Sequence, residues 1–364
     1  MSKKRFWILT GILVFLVIFI RTYSGSAIRV EENYSTGIYP KLGALLRLFF
    51  GWIPFSIGDL LYGVFGIWIV WQIIKSVIAI FKRNVTKDGS LRRLQKTLLL
   101  TLSLYVIFNL FWGINYNRKG ISTQLNIRLD TIGYNDLKEI SFLLADKLNI
   151  TKSYLVKNTI PYPNNKELFK KVEAAYSRAK DSLSFLEYRN LSVKSSLWGW
   201  LGNYTGFTGY YNPFTGEAQV NTTAPKFLQP FVTCHEVAHQ LGYAKENEAN
   251  SVGYLAALYS GDSLLLYSTY FDLYNYAARE FAMQSFIKKD TTAFHALKAQ
   301  LIPEVKADIK EMYDFFRRHK NPVEPYIRTG YSLYLKNNNQ PGGMRSYDEV
   351  LGFIIAYYKK FGRI

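Results

Sequence analysis

The chain carries two histidines and a glutamate at the spacing that zinc hydrolases use. They lie in the stretch Phe231-Val-Thr-Cys-His-Glu-Val-Ala-His-Gln-Leu-Gly242, whose apolar pattern predicts a helix. Residues four apart share one face of a helix, so His235 and His239 can bind a single ion through their imidazoles. Glu236 then lies beside the ion, where it can take a proton from a water molecule. The pattern predicts a catalytic zinc site.

A catalytic zinc site needs a third protein ligand and leaves its fourth position open to water. One family of zinc peptidases supplies a third histidine, three residues beyond a glycine turn. Gly242 fits that turn, but Lys245 occupies the position where the histidine would be. A glutamate from the following helix is therefore the expected third ligand.

Two glutamates, Glu246 and Glu248, stand near the start of that next helix. Glu248 shares a face with Val252 and Leu255, which we expect to be buried against the first helix. A buried carboxylate is costly unless it is paired or binds a metal, so we predict Glu248 as the ligand. Glu246 shares a more polar face with Asn250, and is predicted to support the ligands or to replace Glu248 as the alternative ligand.

Residues 209–221, upstream of the histidines, have the pattern of a β-hairpin. Asn212-Pro213 and Thr215-Gly216 provide turn residues between two short apolar segments. An exposed strand beside an active-site helix can bind an extended peptide by strand addition. A hairpin that merely covers the core would have the same sequence pattern, so both interpretations stay open.

These motifs resemble DUF3810, a family of Bacteroidetes membrane proteins that look like gluzincin metallopeptidases. The resemblance is carried by the run from Trp198 to Asn221, by the two histidines and Glu236, and by Glu-Asn-Glu-Ala-Asn250. It extends to three further segments: Ile53-Pro-Phe-Ser-Ile-Gly-Asp59, Tyr334-Leu-Lys336 and Ser346-Tyr347. The resemblance implies an α+β, mostly helical fold with a zincin-like (gluzincin) catalytic domain and a small β-sheet.

The Glu-Ala-Asn triplet that begins at Glu248 also looks like a triplet found in ImmA/IrrE-type peptidases. In that short-spaced group of gluzincins, the glutamate of the triplet is a zinc ligand. The resemblance therefore implies the same third ligand that the helical-face argument favours.

Three apolar runs precede Asn115, and no run after it approaches the length needed to cross a membrane. We predict a membrane anchor over residues 1–114 and an extracytoplasmic catalytic domain over residues 115–364. The predicted transmembrane helices cover residues 6–20, 60–81 and 98–114. The first run lacks a good cleavage site, which favours an uncleaved anchor over a signal peptide.

Basic residues indicate how the chain crosses the membrane. The loop between the second and third runs, residues 82–96, holds six Lys/Arg and one Asp. The positive-inside rule places this loop and the Lys3-Lys4-Arg5 start in the cytoplasm. Three spans then put the N-terminus inside, the protein in the cytoplasmic (inner) membrane and the catalytic domain in the periplasm.

The net charge of +18 divides into +10 before Asn115 and +8 after it. The first share is explained by topology and by contact with anionic lipids. The second is spread along the domain without the dense basic block of a nucleic-acid-binding protein. We therefore expect membrane lipids and a peptide or protein substrate of the cell envelope as partners, and no nucleic acid.

A zinc peptidase also uses a hydrogen-bond donor from outside the motif to stabilise the oxyanion. Tyr331 and Arg328, in the segment Glu324–Tyr334, are candidates for this role. The chain contains 28 tyrosines, so a structural role for Tyr331 is the alternative.

The sequence thus predicts a membrane-anchored, zinc-dependent hydrolase, with a peptidase as the favoured activity. One Zn²⁺ would be held by His235, His239 and Glu248, with Glu236 as the general base. A non-catalytic zinc-containing scaffold for envelope assembly is the alternative. The intact Glu236 counts against it, because a structural zinc site needs no base.

Overall fold

The computed structural model describes residues 2–82, 86–129, 131–190, 192–347 and 349–364. Within these residues, three helices are long and apolar enough to cross a membrane. They are α1 (Lys3–Ser24), α4 (Ile57–Phe81) and α5 (Lys87–Phe111). A helix therefore lies at each of the three predicted spans, as a membrane protein requires. Arg83, a basic residue of the predicted loop, falls outside the described residues.

The third of these helices begins earlier than its apolar run predicts, at Lys87 instead of Leu98. Thr86 precedes it and accepts a hydrogen bond from the Gly89 backbone N–H through its Oγ1, at 3.1 Å. A threonine at this position satisfies one of the free N–H groups of the first turn. The helix therefore starts within the charged segment, and hydropathy alone locates only its apolar part.

The segment between the first two spans packs against the rest of the molecule. It contains α2 (Ala27–Arg29), a π-helix (Val30–Ile38) and α3 (Tyr39–Phe50). The Arg118 guanidinium, beyond the third span, forms a buried ion pair with Glu31 at 2.7 Å. This contact joins the chain after the first span to the chain after the third, so both segments lie at the same end of the spans.

A small three-stranded sheet lies beside the helices. Its strands are β1 (Val193–Ser195), β2 (Gly209–Asn212) and β3 (Glu217–Val220), in the order β1-β3-β2. The predicted hairpin is present, because β2 pairs antiparallel with β3. The strand β1 pairs with β3 in parallel. The strand β2 therefore lies at an edge of the sheet.

Helices form the remainder of the domain, and their buried faces make the main core. The core is built mainly from apolar residues between 137 and 186, between 227 and 281, and between 350 and 357. The helices are α6 (Ile121–Gln124), α7 (Tyr134–Lys157), α8 (Asn165–Ser182), α9 (Gly199–Thr205), α10 (Gln229–Gln240), α11 (Glu246–Ser260), α12 (Ser263–Ile287), α13 (Thr291–Gln300), α14 (Pro303–Arg318), α15 (Glu324–Asn337) and α16 (Val350–Phe361), with short 3₁₀ segments at Gly113–Asn117, Ser184–Leu186 and Gly343–Tyr347. The predicted mostly helical architecture with a small sheet is confirmed.

The sheet is fastened to the first turn of α4. The Glu217 carboxylate, fully buried, accepts hydrogen bonds from the backbone N–H of Gly58 at 2.6 Å and of Ile57 at 3.2 Å. An anion is favourable here because the first N–H groups of a helix are unpaired and carry partial positive charge. Asp59, also fully buried, accepts hydrogen bonds from the Leu197 N–H at 2.6 Å and from the Tyr210 hydroxyl. The sheet therefore keeps a fixed position on the end of the span.

Candidate metal centre

The helix α10 carries His235, Glu236 and His239, all of them buried. Pro230 lies at the start of the helix, where a missing N–H costs nothing. Gly242 follows its end in the left-handed region, with φ at +84°. A glycine adopts this conformation without strain, and the chain can reverse towards α11. The predicted helix and its glycine stop are both present.

Each imidazole is held through its Nδ1 atom. The Nδ1 of His239 lies 2.7 Å from the backbone carbonyl oxygen of Tyr243. The Nδ1 of His235 lies 2.7 Å from the side-chain Oδ1 of Asn250. A carbonyl oxygen can only accept, so these contacts place the ring protons on Nδ1 and leave a lone pair on each Nε2. Metal-binding histidines are fixed in the same way.

The third group at this position is Glu246. Its Oε2 atom lies 3.2 Å from Nε2 of His235 and 3.5 Å from Nε2 of His239. The three residues are buried and offer ligand atoms that all lie within 4.8 Å of one another. The structure therefore brings together two imidazoles and one carboxylate, the set that a catalytic zinc site uses.

The structure does not place Glu248, the ligand predicted from the sequence, in this group. The Glu248 carboxylate turns away and accepts a hydrogen bond from the backbone N–H of Ile121, at 2.7 Å. Its role is to satisfy the first turn of the short helix α6. Glu246, the alternative in the prediction, occupies the ligand position.

The position of Glu246 next to the imidazoles has a physical cause in how α11 packs. On α11, the face that carries Val252 and Leu255 is buried. The face that lies against α10, however, is the one with the smaller side chains, which include Asn250 and Gly253. A Cβ on Gly253 would approach the backbone N of His235 to 3.2 Å. The two helices are close here because the glycine has no side chain, so Glu246 and Asn250 both reach the imidazoles.

The electrostatics of Glu246 favour a cation between the three ligand atoms. Burial alone would raise the pKa of its carboxyl, but the two histidines opposite outweigh burial and hold that pKa well below its usual value. Its Oε1 accepts a hydrogen bond from the Tyr331 hydroxyl at 2.7 Å. Its buried Oε2 has no hydrogen-bond partner among the described residues. A divalent cation would satisfy this oxygen and both ring lone pairs, so the residues fit a metal ion.

Glu236 lies next to this group without belonging to it. Its buried Oε2 atom has no hydrogen-bond partner in the part of the chain that the structure describes. Burial raises the pKa of this carboxyl to about 8, partly offset by His235. On the other side is the edge strand, where a Cβ on Gly209 would lie only 2.6 Å from Oε1 of Glu236. The glycine allows the strand to approach a carboxyl that is free to bind water.

A cavity of about 370 Å³ opens onto the metal centre. This volume is within the range of small-molecule and peptide sites. Its walls come from five parts of the chain: the ends of α4 and α5, the 3₁₀ segment Gly113–Asn117, the hairpin with the residue Phe207 before it, α10 with the start of α11, and α15. The lining residues are Tyr62, Phe108, Trp112, Tyr116, Phe207, Gly209, Tyr210, Tyr211, Pro213, Phe214, His235, Glu236, His239, Glu246, Tyr331 and Tyr334.

The comparison with known families shows one match, over residues 34–355, to the family described as "Protein of unknown function (DUF3810)". The chain belongs to DUF3810. The predicted membership of the DUF3810 family is confirmed. The matched range in this DUF3810 chain runs from the π-helix to α16 and includes the candidate metal centre and the last two candidate spans. The comparisons found no matching curated protein and no matching solved structure.

The two predicted oxyanion stabilisers of the DUF3810 chain lie in different places. Tyr331 lines the cavity and bonds to the Glu246 carboxylate. Arg328 is more than half exposed and lies 3.6 Å from the Glu324 carboxylate, outside the cavity. The structure thus brings only Tyr331 to the metal centre. The side chains of Ser346 and Tyr347, part of the predicted resemblance, fall outside the described residues.

Two tyrosines of the DUF3810 cavity were not singled out as site residues from the sequence. Tyr116 and Tyr334 form a hydrogen-bonded pair of hydroxyls at 3.0 Å, and both line the cavity. Burial raises the pKa of each phenol, so both hydroxyls are neutral at physiological pH, and one of them donates to the other. Tyr334 lies one helical turn from Tyr331, a spacing that could have indicated a shared face. Tyr116 follows the third span, and no local pattern there indicates a site.

Proposed function

We propose that the protein is a membrane-anchored, zinc-dependent hydrolase that cleaves peptide bonds, with a zincin-like active site. The observation that carries this proposal is the convergence of His235, His239 and Glu246 beside the Glu236 carboxyl, whose Oε2 has no partner among the described residues. A purely structural zinc site has four protein ligands and no adjacent base. The described residues provide three ligands and a base, an arrangement that supports catalysis.

Each residue of the centre has a chemical task in this proposal. His235, His239 and Glu246 would hold Zn²⁺, which lowers the pKa of a water molecule and polarises the substrate carbonyl. Glu236 accepts the proton of the water as its oxygen bonds to the carbonyl carbon. Glu236 then donates this proton to the leaving nitrogen as the carbon–nitrogen bond breaks. The edge strand β2 lies beside Glu236 and offers backbone groups to an extended peptide.

The location of the activity is part of the same proposal. The basic loop of residues 82–96 supports a cytoplasmic position for that loop and a periplasmic position for the metal centre. Membrane lipids and a peptide or protein of the cell envelope are the proposed partners. The residues that line the centre supply no basic patch, so a nucleic acid is not proposed.

The general-base role is tested by Glu236→Gln in the full-length protein purified in detergent. The amide keeps the size of the side chain but cannot accept the proton, so hydrolysis of a quenched fluorescent peptide pool should fall to background. Zinc content should remain at about one ion per chain, because Glu236 is not one of the ligands.

A control variant, Glu187→Gln, removes a carboxylate outside the cavity and should behave as the wild type in both measurements. Retained hydrolysis in Glu236→Gln would refute the general-base role. A wild-type protein that binds zinc but cleaves no peptide of the pool would favour the scaffold of envelope assembly instead.

A further inference from the structure

The cavity at the metal centre is bounded by the outermost turns of two membrane spans. Tyr62, in the second turn of α4, stacks on Tyr210 of the edge strand with ring centroids 5.9 Å apart. Phe108, in the last turn of α5, contacts Tyr334 with centroids 6.4 Å apart. Both aromatic residues lie within about two helical turns, roughly 10 Å, of the ends of their spans. The metal centre is therefore next to the membrane surface and not at the far end of the domain.

The two spans that bound the cavity leave a gap on the membrane side. The helix α1 packs along α5, and their shared core includes Ile20 and Val106. The span α4, all of whose residues are described, has no buried residue in its most apolar window of 18 residues. Gly66 lies one turn below Tyr62 on the same face, and a Cβ there would meet no described atom within 4 Å. The face of α4 below the cavity therefore borders open space at the depth of the lipid.

An apolar cleft of about 290 Å³ continues from the cavity along the outer end of α4. It shares Tyr62, Phe207 and Tyr210 with the metal-centre cavity, and its other wall includes Trp198 and Leu201. The indole N–H of Trp198 donates to the backbone carbonyl of Asp59 at 3.0 Å, which fixes this wall to the span. An apolar cleft beside the outer end of a membrane span can bind the apolar residues that flank a membrane anchor.

We propose that the substrate is a polypeptide with its own membrane anchor, which reaches the metal centre laterally between α4 and α5. Its apolar residues next to the anchor occupy the cleft, and the bond to be cleaved lies over the metal centre. This inference rests on the proposed peptidase function and names the class of its substrate. A polypeptide confined to the same membrane meets the site at a high effective concentration, so strong intrinsic affinity is not needed.

The test uses full-length protein in liposomes and one peptide pool in two forms. The first form is a randomised quenched peptide attached to a Leu-Ala helix of about 20 residues, long enough to span the bilayer. The second form is the same pool without the helix. In Gly66→Trp the indole fills the gap below the cavity. The matched control is Ile67→Trp, because Ile67 is 73% exposed and lies on another face of the helix.

We expect Gly66→Trp to slow cleavage of the anchored pool by about tenfold or more and to leave the free pool within about twofold of wild type. Ile67→Trp should leave both rates unchanged. Equal effects of Gly66→Trp on the two pools, or no effect on either, would overturn the lateral route.

A second measurement does not depend on hydrolysis. A photo-crosslinking residue replaces Gly66 or Ile67 in the Glu236→Gln protein, and the anchored pool is added in liposomes. If the peptide crosslinks more strongly to position 66 than to position 67, the result supports the lateral route. This conclusion holds even if the wild-type protein cleaves no peptide and the proposed function is wrong. Crosslinking from 66 to phospholipid alone, or to peptide equally from both positions, overturns it and leaves the peptidase proposal standing.

Discussion

The two glutamates at the start of α11 are separated by only one residue, yet they have different surroundings. Glu246 faces both imidazoles, whereas Glu248 accepts the Ile121 N–H at the start of α6. The motif alone could not distinguish them, because both satisfy the spacing to the second histidine. The helical-face argument predicted Glu248 as the ligand because it lies on the apolar face of α11. In the structure, the face of α11 that packs on α10 is the one with the small and polar residues Asn250 and Gly253.

This difference predicts opposite results for two alanine variants. Glu246→Ala removes a ligand, and zinc should fall from about one ion per chain to nearly none. Glu248→Ala should keep its zinc and lose about 1 kcal/mol of stability, because the Ile121 N–H loses its acceptor. Metal analysis by mass spectrometry and thermal unfolding of the purified proteins measure the two effects. Zinc lost from Glu248→Ala but kept in Glu246→Ala would show that the ligand assignment is reversed.

At the scale of the elements, the closeness of α10 and α11 determines the geometry of the centre. Gly253 permits this approach, since its Cβ would lie 3.2 Å from the His235 backbone N. Gly253→Ala should push the helices apart and weaken zinc binding by about tenfold, as changes around metal ligands do. Titration against a chelator of known affinity measures this loss.

A second glycine-to-alanine variant distinguishes the effect of a lost close approach between helices from the effect of helix propensity. A Cβ added to Gly352, in α16, would meet Ile132 alone among the described residues within 4 Å, at an ordinary contact distance of 3.9 Å. Gly352→Ala should therefore gain up to about 1 kcal/mol from the better helix propensity of alanine and leave zinc affinity unchanged. If Gly253→Ala were stabilised to the same extent with unchanged affinity, the close approach would have no role in the centre.

Periodicity and hydropathy were sufficient to predict the spans, the α10 helix with its glycine stop, and the β-hairpin. Periodicity and hydropathy could not predict contacts between segments that are far apart in the sequence. Tyr39 and Arg47, between the first two spans, donate hydrogen bonds to the carbonyl of Gln240 at the end of α10. Such long-range partners depend on how the chain folds back on itself, and no local pattern encodes them. The same holds for Tyr62 and Phe108, whose sequence context indicates only residues of membrane spans.

At the scale of the whole molecule, the contacts between segments constrain how the chain crosses the membrane. The Glu31–Arg118 ion pair joins the segment after α1 to the segment after α5, so both lie at the same end of the three candidate spans. In the proposed membrane topology, α4 and α5 then cross in opposite directions, with the loop between them on the other side. This arrangement agrees with the cytoplasmic position that the basic residues of that loop favour.

Cysteine labelling tests the arrangement, because the natural Cys234 is buried and should not react in the folded protein. Ser90, within the basic segment of residues 82–96, and Lys320, between α14 and α15, are both exposed and are each replaced by cysteine. In right-side-out vesicles of the cytoplasmic membrane, a membrane-impermeant maleimide should label Lys320→Cys at once. It should label Ser90→Cys only after the vesicles are permeabilised, because the bilayer separates that residue from the reagent. The reverse pattern would put the metal centre in the cytoplasm, and labelling of both before permeabilisation would mean that α4 and α5 do not cross the membrane.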